Sequence, residues 1–383
     1  MTADTTQTLA LLDRLVSFAV TSADSNLGLI DWVEHYLRNL GFSVHMIPDG
    51  TGRKAGLFAA IGPRRPGGVL LSAHSDVVPV TGQAWTRKPF KLKRDGSRVY
   101  GRGTTDMKGF LASVLAGAAE AALWNLNEPF KISLSWDEEV GCLGIARMMH
   151  QLEPTIGLPR LAIVGEPTEM QVATGHKGKI VWRATCHGQA GHSAMAPRYA
   201  NALYPAAEFL LALRDEQARL ARDGARDAAY DIPHATLHPG RMQGGVALNI
   251  VPEKAEIDYE LRYLPADDVA ATEARIAGRA AGIGASTGGA SRIEIARVNA
   301  YPGLETPIGL PEVAEVQDWA GGTGLTKVAY GTEAGFFAEA GVPTVVCGPG
   351  SMEQGHKPDE FIEIDQLQKC DAMMHRIVAA LAG

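Results

Sequence analysis

The first residues able to do chemistry in this 383-residue chain are a histidine and an aspartate at the end of an apolar run. The stretch LLSAHSDVVP carries His74 and Asp76 two positions apart. Side chains alternate along a strand with a period of two, so both are expected on one face. The two side chains either bond to each other or present an oriented imidazole to a ligand. In the second case the carboxylate would hold the second nitrogen of a metal-bound histidine, as is common.

Further acidic residues and another histidine follow other short apolar runs. They are Asp106 after RVYGRGTT, Glu138 and Glu139 after FKISLSWD, Glu166 after LAIVG, and His356 after PTVVCGPGSMEQG. In open α/β sheets, ligand sites lie outside the carboxyl ends of the strands. Carboxylates gathered there repel one another unless protons or cations neutralise them. Histidine and carboxylate ligands without cysteine suit zinc, cobalt or manganese, so we predict a site for two divalent ions.

The adjacent pair Glu138 and Glu139 suggests a division of labour. Neighbouring strand residues point to opposite faces, which predicts that one binds metal while the other is free to move a proton as a general base. For His74 or Asp106 alone, a buried hydrogen-bonded side chain is the simpler interpretation, and for Glu138 alone a solvated acid is. The whole set favours metal chemistry.

The elements that must position these residues alternate between strands and helices. Apolar runs such as GGVLLSAH, LAIVGEP and PTVVCGPG read as buried strands, and amphipathic or alanine-rich segments read as helices between them. This pattern predicts an α/β domain, a mixed sheet flanked by helices, over 1–178 and 297–383. Residues 179–296 instead follow the strand–helix–strand–strand–helix–strand order of an inserted α+β, ferredoxin-like domain.

Composition excludes several classes of function. The formal net charge of −7 argues against a nucleic-acid partner, which requires a basic surface. The sequence contains no run of about eighteen apolar residues, so it predicts no membrane span. The N-terminal segment has acids and threonines where a secretory signal carries basic and apolar residues, so we expect a cytoplasmic location. The four cysteines have no paired spacing, which argues against a disulfide framework.

Several phrases occur in a recognisable order: SAHSDVVP, GRGTTDMKG, DEEVG, GEPT, GHSAMAP and GPGSMEQGHKPDEFI. This set resembles the M20 family of co-catalytic metallopeptidases. Within that family, GEPT, YGTEAGFF and GPGSMEQGHKPDEF are most similar to the acetylornithine deacetylases. Small departures are HSD in place of the commoner HTD, and Cys142 where a small residue usually follows DEEVG.

The resemblance implies a role for each residue of the set. Two ions, zinc with cobalt as a substitute, would share a water and the bridging Asp106. Glu138 would be the general base, Asp76 would orient His74, and a cis peptide would join Asp106 to Met107. The ligands implied for the two ions are His74, Asp106 and Glu166 for one, and Asp106, Glu139 and His356 for the other.

The resemblance also implies that the inserted domain is a lid through which the enzyme forms a homodimer. His192, in GHSAMAP, would reach the partner subunit's site and steady the oxyanion, while Asn249 and Arg262 would hold the substrate α-carboxylate. The alternatives are a loop histidine at His192 and a pairing of Arg262 with Asp258 or Glu260. Glu333 would meet either a substrate amine or a backbone amide.

The implied activity is hydrolysis of N2-acetyl-L-ornithine to L-ornithine and acetate, a step of arginine synthesis. Sibling activities stay open, namely a succinyl-diaminopimelate desuccinylase or a broad N-acyl-L-amino-acid deacylase. A non-catalytic metal-dependent binding protein is less favoured, because it needs no spare base such as Glu138. A nucleotide-dependent oxidoreductase is disfavoured, since no glycine fingerprint follows the first strand.

Overall fold

A computed structural model describes residues 5–286 and 291–383. The chain divides into two compact units, the first ending at His176 and resuming at Leu304, the second running from Lys177 to Gly303. The boundary predicted after residue 296 falls inside a strand of the second unit. The alternating segment RIEIARVNAY continues its pairing as far as Tyr301, which moves that boundary towards the C-terminus.

The helices follow the amphipathic and alanine-rich segments of the sequence. In chain order they are α1 (Thr6–Ser17), α2 (Leu27–Asn39), α3 (Lys108–Ala121), α4 (Leu143–Met148), α5 (Leu152–Ile156), α6 (Leu203–Asp223), α7 (Val269–Ser286), α8 (Pro311–Trp319), α9 (Ala334–Glu339) and α10 (Ile364–Ala382). Short 3-10 helices are added at Met149–Gln151 and Ser193–Arg198. In the described residues, no helix has the length and apolar character needed to cross a lipid bilayer.

The strands are short and follow the apolar or alternating runs. In chain order they are β1 (Ser43–Pro48), β2 (Ala55–Ile61), β3 (Val69–His74), β4 (Lys93–Asp95), β5 (Arg98–Tyr100), β6 (Phe130–Ser135), β7 (Leu161–Val164), β8 (Val172–His176), β9 (Gly178–His187), β10 (Gly191–His192), β11 (Thr236–Gly244), β12 (Ile250–Val251), β13 (Lys254–Tyr263), β14 (Arg292–Tyr301), β15 (Leu304–Glu305), β16 (Leu325–Val328), β17 (Thr344–Val346) and β18 (Phe361–Glu363).

The first unit is built on a mixed sheet with the order β1-β2-β6-β3-β7-β17-β8-β15, and β16 pairs with β8. Its centre, β6-β3-β7-β17, is parallel throughout, so the carboxyl ends of these strands share one edge. Every residue of β3, β6 and β7 is buried, as expected for strands covered on both faces. The predicted mixed sheet flanked by helices is confirmed.

Three helices cover much of the apolar surface of this sheet. α3 packs against both α1 and α10, and its alanines and glycines allow close approach. Gly117 of α3 is required for this contact, because a Cβ there would lie 2.9 Å from the side chain of Met374 on α10. The resulting core is continuous with the apolar sides of β3, β6 and β7.

The second unit has the predicted strand–helix–strand–strand–helix–strand order. Its sheet has the order β11-β13-β9-β14, with every neighbouring pair antiparallel. One face of β9 and β13 is buried against α6 and α7 around Trp182, Phe209 and Tyr259. The opposite face carries charged residues, as the alternation of GKIVWRATCH predicts.

Candidate active site

Three central strands of the first unit deliver acidic and histidine residues to one edge. His74 is the last residue of β3, and its register partner Ser135 ends β6, just before the segment with Glu138. Glu166 comes directly after β7. These positions agree with the prediction from the sequence, because parallel neighbours end side by side.

His74 lies at the centre of this cluster and is 1% exposed. Its Nε2 atom lies 3.2 Å from Oδ1 of Asp106 and 3.6 Å from Oε1 of Glu166. Its Nδ1 atom is 2.9 Å from the backbone oxygen of Asp76. Burial opposes a charge on this ring, but the nearby carboxylates of Asp106 and Asp76 raise the pKa of His74 well above its usual value. The ring is therefore fixed from both sides.

Asp106 lies between two histidines. Its Oδ1 faces His74, and its Oδ2 lies 3.1 Å from Nε2 of His356. The sequence placed Asp106 after a strand, but it follows no strand of the main sheet and occupies a turn directly before α3. Its peptide bond to Met107 is cis, as the resemblance implied. Burial alone would raise the pKa of Asp106, but the two histidines hold it far below its usual range.

His356 and Glu139 complete this side of the cluster. His356 Nε2 lies 3.0 Å from Oε2 of Glu139, and hydrogen bonds to Asp106 and Glu139 raise the pKa of His356 to about 10. Burial, followed by repulsion from Asp106, raises the pKa of Glu139 to about 7. His356 has a φ angle of 62°, which is a left-handed conformation. Non-glycine residues adopt it rarely, and such residues are common at functional sites.

Glu138 and Glu139 do not belong to a strand, which corrects the reason given for their different roles. β6 ends at Ser135, and Asp137, with a φ angle of 56°, begins a turn. The turn still separates the two carboxylates. Glu139 groups with His74 and Asp106, whereas Glu138 groups with His74 and Glu166.

Burial raises the pKa of Glu138 well above its usual value, and the charges of Glu139 and Asp106 add to this effect. Burial and the charge of Asp106 also raise the pKa of Glu166. The thiol of Cys142 donates a hydrogen bond of 3.3 Å to Oε1 of Glu138. Cys142 was noted in the sequence only as a departure from the family pattern, and it contacts the proposed base.

The carboxylate of Asp76 has partners that its place beside His74 did not predict. Ser22 donates a 2.7 Å hydrogen bond to Oδ2, and the backbone nitrogens of Glu138 and Glu139 lie 3.2 and 3.4 Å from Oδ1 and Oδ2. The nearest approach of this carboxylate to the His74 ring is 3.6 Å, longer than a hydrogen bond. Asp76 thus contacts His74 chiefly through its main chain, and its side chain anchors the neighbouring turn.

Two close approaches require glycine near Glu166. A Cβ on Gly165 would lie 2.0 Å from the ring of the fully buried Phe110, and a Cβ on Gly348 would lie 2.0 Å from the oxygen of Gly165. Gly165 therefore lets α3 pack against the end of β7, and Gly348 lets the segment after β17 approach it, at the edge where Glu166 emerges.

Glu333 contacts two serine hydroxyl groups rather than the backbone amide considered from the sequence. Its carboxylate accepts hydrogen bonds from the hydroxyl groups of Ser135 and, at 3.4 Å, Ser72. Burial raises the pKa of Glu333 to about 7. It lies beneath the ends of β3 and β6 and supports both of them.

The donor set fits divalent ions. Oxygen and nitrogen atoms of His74, Asp106 and Glu139, and of His74, Glu138 and Glu166, lie within 4.8 Å of one another in each group. Among the described residues, only histidines come within ion-pair distance of Asp106, Glu139 and Glu166. Buried carboxylates without a lysine or arginine are neutralised by protons or by bound cations.

The second unit brings His192 and Asn249 together. β10 and β12 form a two-stranded ribbon in which His192 pairs with Ile250, and the nitrogen of Ser193 donates to the oxygen of Asn249 at 3.0 Å. Nδ1 of His192 accepts a 3.1 Å hydrogen bond from the nitrogen of Ala194. The proton of a neutral ring then lies on Nε2, which is free to donate.

Arg262 lies on β13 and donates from Nε to Oε1 of Glu260 at 2.9 Å. This is one of the two pairings considered from the sequence. Lys179 also reaches Glu260, at 3.0 Å. Glu260 is therefore shared by two cations, which leaves a net positive charge in this group of three side chains.

Comparison with known proteins agrees with the geometry. Residues 70–380 match the model of peptidase family M20/M25/M40. The chain is 32% identical over 358 residues to an acetylornithine deacetylase of Pasteurella multocida (strain Pm70), covering 92% of this chain and 91% of the relative. It is 34% identical over 344 residues to an acetylornithine deacetylase of Shigella sonnei (strain Ss046), covering 88% and 87%.

The chain belongs to the M20 peptidase family. This M20 chain is therefore a hydrolase of amide bonds, and the family resemblance seen in its motifs is confirmed.

Solved structures show the same fold. An M20 family metallo-carboxypeptidase from Sulfolobus solfataricus superposes with a TM-score of 0.79 at 18% identity, over 98% of this chain and 99% of that one. A dinuclear metal-binding peptidase of the family from Bacillus subtilis gives a TM-score of 0.69 at 16% identity, over 98% of both chains. At these identities the likeness establishes the architecture of the M20 chain.

Proposed function

We propose that this M20 enzyme hydrolyses N2-acetyl-L-ornithine to L-ornithine and acetate, with two divalent ions as cofactors. The observation that carries the proposal of metal-dependent catalysis is the Asp106 carboxylate, whose two oxygens each face a different histidine. The names of the relatives support the choice of substrate. A cytoplasmic place in arginine synthesis belongs to the same proposal.

The ion-binding residues in this proposal are His74, Asp106, Glu139, Glu166 and His356. Asp106 would be the shared ligand, because its two oxygens face His74 and His356. Bound zinc or cobalt would polarise the acyl carbonyl and lower the pKa of a water molecule. Histidine and carboxylate ligands suit either ion.

Glu138 is the proton carrier in the proposed reaction. Its carboxylate takes a proton from the attacking water and returns it to the leaving amine. Burial and neighbouring carboxylates raise the pKa of Glu138, so it holds a proton better than an ordinary glutamate does. The backbone contact with Asp76 and the thiol of Cys142 keep this side chain in place.

The second unit supplies substrate contacts. His192 would donate from Nε2 to the developing oxyanion, since its Nδ1 already accepts from Ala194. Asn249 directly precedes β12, beside His192, and Asn249 and Arg262 would hold the substrate α-carboxylate, Arg262 by exchanging part of its pairing with Glu260. We propose that His192 serves the site of a partner subunit in a homodimer formed through this unit, whose predicted extent was 179–296.

The substrate is tested by turnover of a small panel with the zinc-loaded enzyme. N2-acetyl-L-ornithine, N-acetyl-L-methionine and N-succinyl-L,L-diaminopimelate separate the proposed activity from its two siblings. A preference of at least tenfold in kcat/KM for acetylornithine is expected, equivalent to about 1.4 kcal/mol of transition-state binding. Preference for another acyl group assigns a sibling activity, and turnover of none of them contradicts the proposal.

A further inference from the structure

Glu360 is a buried carboxylate that no role in the proposed reaction uses. It is 1% exposed and immediately precedes β18. Its Oε1 accepts hydrogen bonds from the backbone nitrogens of Thr105 and Asp106 at 2.9 and 3.2 Å. Its Oε2 accepts from the nitrogen of Gly103 at 3.0 Å and from Nη1 of Arg102 at 2.7 Å. One side chain therefore accepts hydrogen bonds from three backbone nitrogens of the turn that carries Asp106.

The same network reaches the main chain of His356. Nη2 of Arg102 donates to Oε1 of Gln83 at 2.5 Å, and Nε2 of Gln83 donates to the oxygen of His356 at 2.9 Å. Nη1 of Arg102 also lies 3.4 Å from the oxygen of Lys357. Asp106 and His356 are thus connected through three side chains as well as through their own 3.1 Å contact.

Asp359 adds a second attachment of this segment. Its carboxylate accepts from the hydroxyl of Thr86 at 2.6 Å and from the backbone nitrogens of Thr86 and Arg87 at 3.0 and 3.2 Å. Asp359 has a φ angle of 54° and His356 one of 62°, so the segment between them is held in an uncommon conformation at both ends.

We infer that Glu360 is a positioning residue that sets the separation of Asp106 and His356, and thereby the affinity for the ion held by Asp106, Glu139 and His356. The inference rests on the metal site of the proposed function. His74 and Glu166 emerge from β3 and β7 and share no hydrogen bond with Glu360. The effect is therefore larger for the ion that His356 would bind, because Asp106 would serve both ions and His356 only one.

A role in packing alone makes a different prediction. The Arg102–Glu360 pair is 1% exposed on both sides, and a buried ion pair adds little net stability by itself. However, the nitrogens of Thr105 and Asp106 donate to Oε1 while Gly103 and Arg102 donate to Oε2, so both carboxylate oxygens must accept. An amide of the same size has one acceptor and would turn its NH₂ group against donors. Glutamine at this position keeps the volume and breaks the network.

The experiment is a titration of metal-free protein with cobalt(II), measuring bound ion by equilibrium dialysis with elemental analysis and the cobalt absorption spectrum. For Glu360→Gln we expect one of the two binding steps to weaken by about 10- to 100-fold, while the other weakens clearly less. The matched control is Glu363→Gln, because Glu363 lies on the adjacent strand and pairs with Arg98 on the surface. It should bind both ions as the unaltered chain does.

Gln83→Ala keeps the inference testable if Glu360→Gln does not fold. It removes the amide between Arg102 and His356 at a partly exposed position, so we expect the same binding step to weaken with a smaller fold-change. Unchanged affinity for both ions in either folded variant overturns the inference, and so does an equal loss of both steps. Because cobalt binding is measured without substrate, failure of the proposed substrate leaves this result interpretable on its own.

Discussion

Oδ1 of Asp76 lies 3.2 Å from the backbone nitrogen of Glu138. This contact joins the end of β3, which carries His74, to the turn after β6, which carries the proposed base. The carboxylate that the sequence assigned to the histidine thus also fixes the position of the base. Burial would raise the pKa of Asp76, but His74, the hydroxyl of Ser22 and the backbone nitrogen of Glu138 together lower it.

Substitution of Asp76 is expected to displace the base more than the metals. In Asp76→Asn, the amide has fewer acceptors for Ser22 and the turn, so kcat should fall by about 10- to 100-fold. Metal content, measured on the same preparation by elemental analysis, should stay near that of the unaltered enzyme. Ser22→Ala, which removes a single donor, serves as the milder control. Equal kcat values for Asp76→Asn and the parent would contradict the role.

Glu138→Gln should retain both ions and lose turnover. An amide has nearly the same shape but takes no proton at neutral pH, so kcat should fall by a factor of about 10² to 10⁴ or more. Glu153→Gln, an exposed position on α5, is the matched control and should leave kcat unchanged. Turnover near the parental rate in fully metal-loaded Glu138→Gln would exclude Glu138 as the base.

Removal of metal should abolish activity and lower the thermal midpoint. The buried carboxylates around His74 then lose their counter-charge, and the folded state loses the free energy of ion binding, about 2.7 kcal/mol at 100 times the dissociation constant. Dialysis against a chelator followed by differential scanning calorimetry measures this change, and zinc or cobalt should restore both properties. Full activity in protein shown to be metal-free would rule out the mechanism.

The proposed exchange of His192 between subunits is tested by mixing two inactive variants. His192→Ala and Glu138→Gln, unfolded and refolded together, should form mixed dimers with one intact site each. Random assembly predicts recovery of about a quarter of parental activity if the residues come from different subunits. No recovery, with mixed dimers demonstrated by differently sized tags, would show that His192 does not act in the partner's site.

Asp371 is expected to make stability fall as pH rises. Burial raises its pKa from 3.8 to about 6, although the hydroxyl of Thr8 donates to it at 2.9 Å. Between these two values the folded state holds a proton that the unfolded state has released, so the free energy of unfolding decreases with increasing pH. Below pH 3.8 both states are protonated and the effect is absent.

The measurement compares urea unfolding of the parent and Asp371→Asn across this pH range. The variant should gain up to roughly 2 kcal/mol relative to the parent between pH 4 and 6, because it has no charge to bury. Asp365→Asn, an exposed position on the same helix, controls for the loss of an acidic residue. A constant difference between parent and Asp371→Asn over the range would show that Asp371 does not titrate as described.

The sequence by itself determined the kinds of group in the site and the places where strands deliver them. His74 ends β3 and Glu166 follows β7, as the apolar runs predicted. A short apolar run marks where a buried strand ends, so the residues that follow it can be identified from the sequence. The order of strands and helices in the second unit could also be predicted, because strands and helices differ in the spacing of their apolar residues.

The tertiary structure alone decided which groups meet. Asp106 follows no strand of the main sheet and is held by Glu360, 254 residues away in the chain. The Glu138 turn is anchored by Asp76 across 62 residues, and Glu333 is bonded to Ser135 across 198. No local period records such pairings, because they form only when the sheet edge brings distant loops into hydrogen-bond distance and burial then makes each unpaired polar atom costly.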